Sequence, residues 1–300
     1  MLQEIIFCID KTQRDEEREA LLVRAAKHLK REGVGVEILT PSEAHPEKHP
    51  ERLYLTDDPV IADSLTEKGG KTAGFLHGRN RAEKFDGLKF VFDEVDEVEA
   101  DSFRKAWERL SGVPWTILHT KRLTVRETTL QDIDDFYRIY RDPSMTEYME
   151  GLFEDPADER RYMEDYIRKI YGMLGFGVWT LVNRADNRVI GRAGYSIRGG
   201  FDNIELGFLI ARPFQGHGYA YEACEAILRY GKQVLLLECV QALVREGNAA
   251  SVHLCEKLGF RHTGSVRIEE DIYGGSYRGE GQVSFAPVRY GNYLQFIKEF

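Results

Sequence analysis

The sequence predicts an α/β protein with two units: a small parallel α/β domain over residues 1–113 and an α+β domain with a mixed sheet over residues 120–300. Strands and helices alternate through the first third of the chain, which is typical of a parallel sheet. Consecutive strands joined by a short turn occur only further along, which indicates antiparallel pairing. Between the two patterns lies the segment 111–122, in which Gly112 and Pro114 interrupt regular structure.

Each element of the first unit follows from its local pattern. Short apolar, β-branched runs predict buried strands, and amphipathic runs among charges predict helices. Gly33 ends the first helix, and Asp57 or Asp58 followed by Pro59 begins the second. In chain order we predict strand 3–9, helix 14–32, strands 34–39 and 53–55, helix 59–68, strands 72–76 and 88–92, and helix 101–110.

The second unit has a different order of elements. Two strands flanking Ala185-Asp186-Asn187 predict an antiparallel hairpin, and no repeat of solenoid length is visible. In chain order we predict strand 123–126, helices 130–141 and 157–171, hairpin strands 177–183 and 189–197, strand 203–211, helix 219–233, strand 239–245, helix 249–258 and terminal strands after residue 260.

Composition and charge exclude several classes of function. The 300 residues are 42% hydrophobic with a formal net charge of −9, which argues against nucleic acid or an anionic membrane surface as the main partner. No apolar run approaches the roughly 20 residues that span a bilayer, and the N-terminus lacks the features of a signal peptide. The 4 cysteines form no C-x-x-C pair, so we expect no metal site and no disulfide framework. We expect a cytoplasmic protein, and the oligomeric state stays open.

The stretch with the most chemical information is the strand-to-helix junction within residues 203–233. Glycines separated by one residue let a backbone approach a ligand closely, and a helix N-terminus offers unpaired N–H groups and a positive dipole end. This pattern predicts a pyrophosphate site, and the alternative is a plain glycine turn. The loop consists of Gln215, Gly216, His217, Gly218, Tyr219 and Ala220.

A second motif follows the next strand, where residues 245–260 read REGNAASVHLCEKLGF. Together with the glycine loop it resembles the GNAT superfamily of N-acetyltransferases, which use acetyl-CoA. The family loop reads Q/R-x-x-G-x-G/A, and the later family motif contains N-x-x-[SA] and ends in K-x-G-F. The matching residues are Gln215, Gly218, Ala220, Asn248, Ser251, Lys257, Gly259 and Phe260. The resemblance covers residues 121–300 and is greatest to the Rim-type branch, which acetylates the N-termini of ribosomal proteins.

The resemblance implies how acetyl-CoA would be bound. The strand ending in Phe208, Leu209 and Ile210 would pair through its backbone with the pantetheine arm, at a splay between neighbouring strands. The N–H groups of residues 215–220 would hold the pyrophosphate. Asn248 would fix the strand–helix turn and touch the cofactor; it can also be an ordinary helix N-cap, and the two roles are compatible.

The resemblance also implies a reaction in which a neutral amine attacks a thioester. A carboxylate acting through water can take the proton of that amine. Glu205 is the candidate, because family members often place a glutamate on this strand, and the alternative is a surface glutamate. The departing thiolate needs a proton, and many relatives use a tyrosine where this chain has Cys255. The donor is therefore Cys255, Ser251 or a water, and Cys255 is alternatively a buried packing residue.

Other polar residues near these motifs carry less specific signals. We expect His217 and His253 to face solvent. Residues 148–153 predict an acceptor-side loop. The acidic side chains of residues 154–159 either attract a cationic amine or form a solvated helix N-terminus.

The first unit resembles a haloacid dehalogenase (HAD) domain in part, through Asp10-Lys11-Thr12 after its first strand, Thr40, and the Asp57-Asp58 pair. It departs from that family where Thr12 and Ile61 replace expected acids. A phosphatase needs its nucleophile, acid and magnesium-binding carboxylates together. We therefore expect a non-catalytic Rossmann-like module that binds a partner or supports the transferase.

Three functions follow from these patterns. The first is an acetyl-CoA-dependent N-acetyltransferase for the primary amine of a protein N-terminus or a small molecule. The alternatives are a non-catalytic acyl-CoA-binding sensor, suggested by the missing tyrosine at position 255, and a HAD-type phosphohydrolase with an accessory GNAT domain.

Overall fold

The structure is a computed structural model that describes residues 2–12, 15–270, 277 and 289–300. The chain divides into two compact units, Met1–Trp115 and Thr116–Phe300. The strands are β1 (Glu4–Cys8), β2 (Gly35–Leu39), β3 (Arg52–Thr56), β4 (Lys71–Phe75), β5 (Val91–Phe92), β6 (Thr116–His119), β7 (Leu123–Arg126), β8 (Val178–Asn183), β9 (Val189–Ser196), β10 (Ile204–Ile210), β11 (Cys239–Arg245), β12 (Arg261–Glu270) and β13 (Arg289–Glu299). The α-helices are α1 (Glu16–Arg31), α2 (Pro59–Glu67), α3 (Ala100–Leu110), α4 (Ile133–Tyr140), α5 (Pro156–Tyr166), α6 (Gly172–Leu174), α7 (Tyr219–Gln233) and α8 (Ala249–Lys257).

The described part of the first unit contains a parallel sheet in the order β2-β1-β3-β4-β5. Helices cover both faces, so β1 is buried on both: Phe7 packs with α1 and α3, and Cys8 packs with α2. The predicted parallel α/β layer is confirmed. Asp58, rather than Asp57, caps α2, because its carboxylate accepts hydrogen bonds from the N–H groups of Val60 and Ile61.

A buried polar cluster lies at the carboxyl ends of β3 and β4. Arg18 Nη1 donates to Asp57 Oδ2 over 3.0 Å, and His77 Nε2 lies 3.1 Å from the same oxygen. Asn80 hydrogen-bonds both the His77 N–H and the Asp57 carbonyl oxygen. The acidic pair Asp57-Asp58 is therefore engaged in bonds within the unit, and no set of three or more metal-ligating side chains comes together in the described residues.

The second unit is built on a mixed sheet in the order β12-β13-β11-β10-β9-β8-β7-β6. Neighbouring strands pair antiparallel except β10 and β11, which are parallel. α7 packs on one face around Trp179 and Tyr195, and α4 and α5 pack on the other. The mixed sheet and its β8–β9 hairpin are confirmed. The predicted terminal strands are β12 and β13; the chain between them lies outside the described residues, except Tyr277.

Two local features differ from the sequence prediction. β6 lies inside the segment that was predicted to separate the units, because Thr116-Ile117-Leu118 favours strand and pairs with β7 at the edge of the sheet. The single helix predicted over 157–171 changes to a π-helix at Ile167–Tyr171. This wider turn lets the hydroxyls of Tyr166 and Tyr171 both bond to the backbone of Val178.

The described residues contain no helix with the length and apolarity needed to cross a membrane.

Candidate active site

The sheet of the second unit opens between its two parallel strands. β10 and β11 pair only at their first residues, Ile204 with Val240 and Glu205 with Gln241. Beyond this point β10 stays paired with β9 up to Ile210, and β11 stays paired with β13. The two strands therefore diverge toward the glycine loop, which is the splay that the family resemblance implies.

A cavity of about 780 Å³ occupies this opening. Both diverging strands, the glycine loop, α8 and the segment 144–152 contribute to its wall. Most of the predicted site residues line it, and His217 and Cys255 do not. The residues on the wall are Glu205, Phe208, Leu209, Ile210, Gln215, Gly216, Gly218, Tyr219, Ala220, Asn248 and Ser251.

The glycine loop connects β10 to α7 and contains two residues whose backbone is in the left-handed conformation. Gly216 has φ 75° and Gly218 has φ 80°, a conformation that L side chains rarely adopt. Gln215 Nε2 donates to the Ile210 carbonyl oxygen over 2.8 Å and closes the turn. α7 begins after Gly218 without a side-chain cap. Its first N–H groups are thus available to an anion at the cavity wall.

The start of α7 is anchored to the turn between β6 and β7. The Glu222 carboxylate accepts hydrogen bonds from the Thr120 hydroxyl, over 2.6 Å, and from Arg122 N and Nε. Burial acts to raise the pKa of Glu222, but these bonds hold it below its usual range. The Arg122 guanidinium also lies 4.1 Å from the centre of the Tyr219 ring. These contacts hold the glycine loop in place.

Glu205 lies where β10 and β11 begin to separate, and it is only 8% exposed. Its Oε2 accepts a hydrogen bond of 2.8 Å from Arg198 Nε. Burial raises the pKa of Glu205, although the Arg198 charge opposes the shift. The carboxylate is therefore a buried, paired group in the cavity wall, which corrects the alternative of a surface glutamate.

The three predicted residues of α8 have different positions. Asn248 caps the helix through Oδ1, which accepts a hydrogen bond of 3.1 Å from Ser251 N, and both residues line the cavity. Cys255 instead packs in the apolar core, 1% exposed, and burial raises its pKa to about 12. The structure therefore does not bring Cys255 to the cavity, because its position on α8 faces the sheet.

The acidic segment before and within α5 contains two kinds of side chain. Glu154 and Asp155 are exposed, and Asp155 caps α5, as a solvated helix start would. Asp158 and Glu159 are buried. Glu159 lines the cavity, where its Oε2 accepts a hydrogen bond from Phe153 N over 3.2 Å. The expectation of a solvated surface is wrong for these two residues.

Two arginines in the cavity wall did not emerge from the sequence. Arg192 lies in β9, paired with Leu209, and Arg198 follows the same strand. The signal was present, since Arg192 interrupts an otherwise apolar strand, VIGRAGYS. The pairing of β9 with β10 places Arg192 on the same sheet face as Glu205, and the hydrogen bond to Glu205 places Arg198 beside it.

Comparison with known proteins shows the family to which the second unit is similar. A family model for the acetyltransferase (GNAT) domain matches residues 122–261. The [ribosomal protein uS5]-alanine N-acetyltransferase of Escherichia coli K12 is 32% identical over 172 residues, covering 52% of this chain and 84% of that enzyme. The protein p20 of Bacillus licheniformis, named an uncharacterized N-acetyltransferase, is 28% identical over 158 residues, covering 52% of this chain and 89% of p20. A ribosomal-protein-S5-alanine acetyltransferase structure from Vibrio fischeri has 15% identity and a TM-score of 0.48, covering 62% of this chain and 96% of the other.

The chain is therefore an acyltransferase. It belongs to the GNAT acetyltransferase family, as its two motifs predicted.

Proposed function

We propose that the protein is an acetyl-CoA-dependent N-acetyltransferase that acetylates a primary amine by direct attack in a ternary complex. The observation that carries this proposal is the opening between β10 and β11. It runs from the buried carboxylate of Glu205 to the uncapped N-terminus of α7. The chemistry then belongs to residues 120–300, and the unit over residues 1–113 is a non-catalytic module.

The residues along the opening fit acetyl-CoA. The diverging backbones of Phe208–Ile210 and of β11 leave room for an extended pantetheine arm. The N–H groups of residues 215–220 would hold the pyrophosphate, and Asn248 lies on the opposite wall. Acetyl-CoA supplies the acetyl group as a thioester that a neutral amine can attack.

Glu205 has the properties of the base that such an amine requires. Burial raises the pKa of its carboxylate, which makes the carboxylate a stronger proton acceptor than an exposed glutamate. The bond from Arg198 opposes this shift of the pKa by favouring the ionised form, and it fixes the orientation of the carboxylate. Glu205 takes the proton of the amine through a water, which is worth about 10² to 10⁴ in rate for a positioned base.

The proton that the departing thiolate needs comes from Ser251 or from a water in the cavity. Ser251 lines the cavity wall and is held by the Asn248 cap. Cys255 has no access to the cavity, so we do not assign it this role.

Acetyl-CoA is expected to raise the unfolding temperature of the protein, and ADP to raise it far less. A ligand at about 100 times its Kd stabilises the native state by about 2.7 kcal/mol. G218V should lose most of this shift, because a branched side chain at φ 80° distorts the phosphate loop. G33V is the matched control, since Gly33 has φ 83° at the end of α1 with open space around it.

Transfer itself is tested by the release of CoA from acetyl-CoA in the presence of a panel of primary amines. Amine-dependent release supports the proposal. Stabilisation by acetyl-CoA without release for any amine would favour the sensor instead. No shift of the unfolding temperature at millimolar acetyl-CoA would leave the glycine loop as a simple turn.

A further inference from the structure

One cation in the cavity wall has hydrogen-bonding capacity that the protein does not use. Arg192 lies in the middle of β9 and lines the cavity. Its Nε is fully buried without a hydrogen-bond partner, and no carboxylate in the described residues forms an ion pair with its guanidinium. A buried donor without a partner is costly to a fold, and more so when it is charged.

The surroundings of Arg192 stabilise its charge without neutralising it. The guanidinium lies 4.7 Å from the centre of the Phe136 ring, and the Tyr140 hydroxyl is its hydrogen-bonding neighbour, so Nε is the donor that lacks a partner. Glu159 is within electrostatic range but outside ion-pair distance, and its carboxylate accepts from the backbone of Phe153. The guanidinium of Arg192 is planar, and its N–H groups can donate two parallel hydrogen bonds to one carboxylate.

The position of Arg192 separates it from the cofactor opening. It lies in β9, on the side of β10 away from β11, whereas the opening lies between β10 and β11. Along β10, its partner Leu209 is four residues from Glu205, a backbone distance of about 13 Å. Leu209, Gly207 and Glu205 lie on one face of β10. Because Gly207 has no side chain, the space between Glu205 and Leu209 is open on that face.

We propose that Arg192 binds a carboxylate of the acceptor, so that the preferred substrate is an amine carrying an acidic group several bonds from its nitrogen. This inference rests on the proposed N-acetyltransferase function. The amine lies at Glu205 and the acid at Arg192, and both an ω-amino acid and a short peptide with an acidic side chain meet this chemistry.

The test compares each acid with its neutral amide in the full-length protein, at saturating acetyl-CoA. One arm uses 6-aminohexanoate against 6-aminohexanamide, and the other uses the dipeptide Ala-Glu against Ala-Gln. The acid of at least one pair is expected to exceed its amide by about tenfold or more in kcat/KM, the size of a charge-assisted hydrogen bond. The arm with the larger ratio identifies the source of the carboxylate.

Variants of Arg192 test whether this residue causes the preference for the acid over its amide. R192M should reduce the ratio of acid to amide toward one, and R192K should keep part of the ratio. R188M is the matched control, because Arg188 precedes the same strand but is exposed and pairs with Asp186. The thermal shift with acetyl-CoA should be unchanged in R192M.

Three results would overturn the inference while leaving the transferase function intact. They are equal kcat/KM for acid and amide in both arms, a full preference retained in R192M, and a loss of acetyl-CoA binding in R192M, which would assign Arg192 to the cofactor. The first of these needs no variant, so it holds even if R192M does not fold. If no amine releases CoA, the proposed function and this inference fail together.

Discussion

E205Q is expected to lower kcat by about 10² to 10⁴, because the amide cannot accept the proton of the attacking amine. Glutamine keeps the shape of the side chain, so the cavity and the binding of acetyl-CoA should be preserved. The measurement is the steady-state rate of CoA release, together with the thermal shift produced by acetyl-CoA. E164Q is the matched control, because Glu164 is exposed on α5 and does not line the cavity.

The pH dependence gives this variant a second readout. Burial raises the pKa of Glu205 above the ordinary value of 4.5. The base acts when ionised, so kcat/KM of the wild type should fall as the pH drops through this raised pKa. E205Q should lack this acidic limb. Turnover at the wild-type rate, with the limb intact, would show that another group is the base.

D57A is expected to destabilise the first unit by about 3–5 kcal/mol, the usual cost of removing one partner of a buried ion pair. The side chains of Asp57 and Arg18 are 8% and 7% exposed, so the guanidinium would lose its carboxylate without gaining water. His77 would lose the same partner. The measurement is the urea dependence of amide hydrogen exchange in β1, β3 and β4 of the full-length chain.

The neighbouring substitution D58A provides the comparison. Asp58 caps α2 at its surface, and removing such a cap costs about 1 kcal/mol. D57A should therefore cost clearly more than D58A. Equal costs would mean that water or a relaxed backbone replaces the ion pair.

Local patterns were enough to predict much of the fold, including the loop that joins β10 to α7. The turn Ala185-Asp186-Asn187 predicted the β8–β9 hairpin, where Asn187 adopts φ 57°. The glycines of residues 215–220 predicted the strand–loop–helix junction, because the requirement for left-handed backbone is visible in residue type alone.

What the sequence did not show depends on contacts between distant segments. Thr116–His119 becomes a strand only because β7 offers it an edge. The family resemblance suggested Cys255 as a proton donor, but the packing of α8 directs its side chain into the core. Arg192 and Arg198 join Glu205 through the register of β9 and β10, which no short motif encodes.

The two residue pairs that join β10 to β11 also have a mechanical consequence. Among the described residues, strands β6–β10 and β11–β13 form two half-sheets whose strand pairing with each other is limited to these two residue pairs, and packing against the helices supplies further contact. A ligand lying in the opening would bridge the halves as a missing strand does. Binding of a ligand in the opening should therefore reduce slow relative motion of the two half-sheets. The measurable result is slower amide hydrogen exchange along β11.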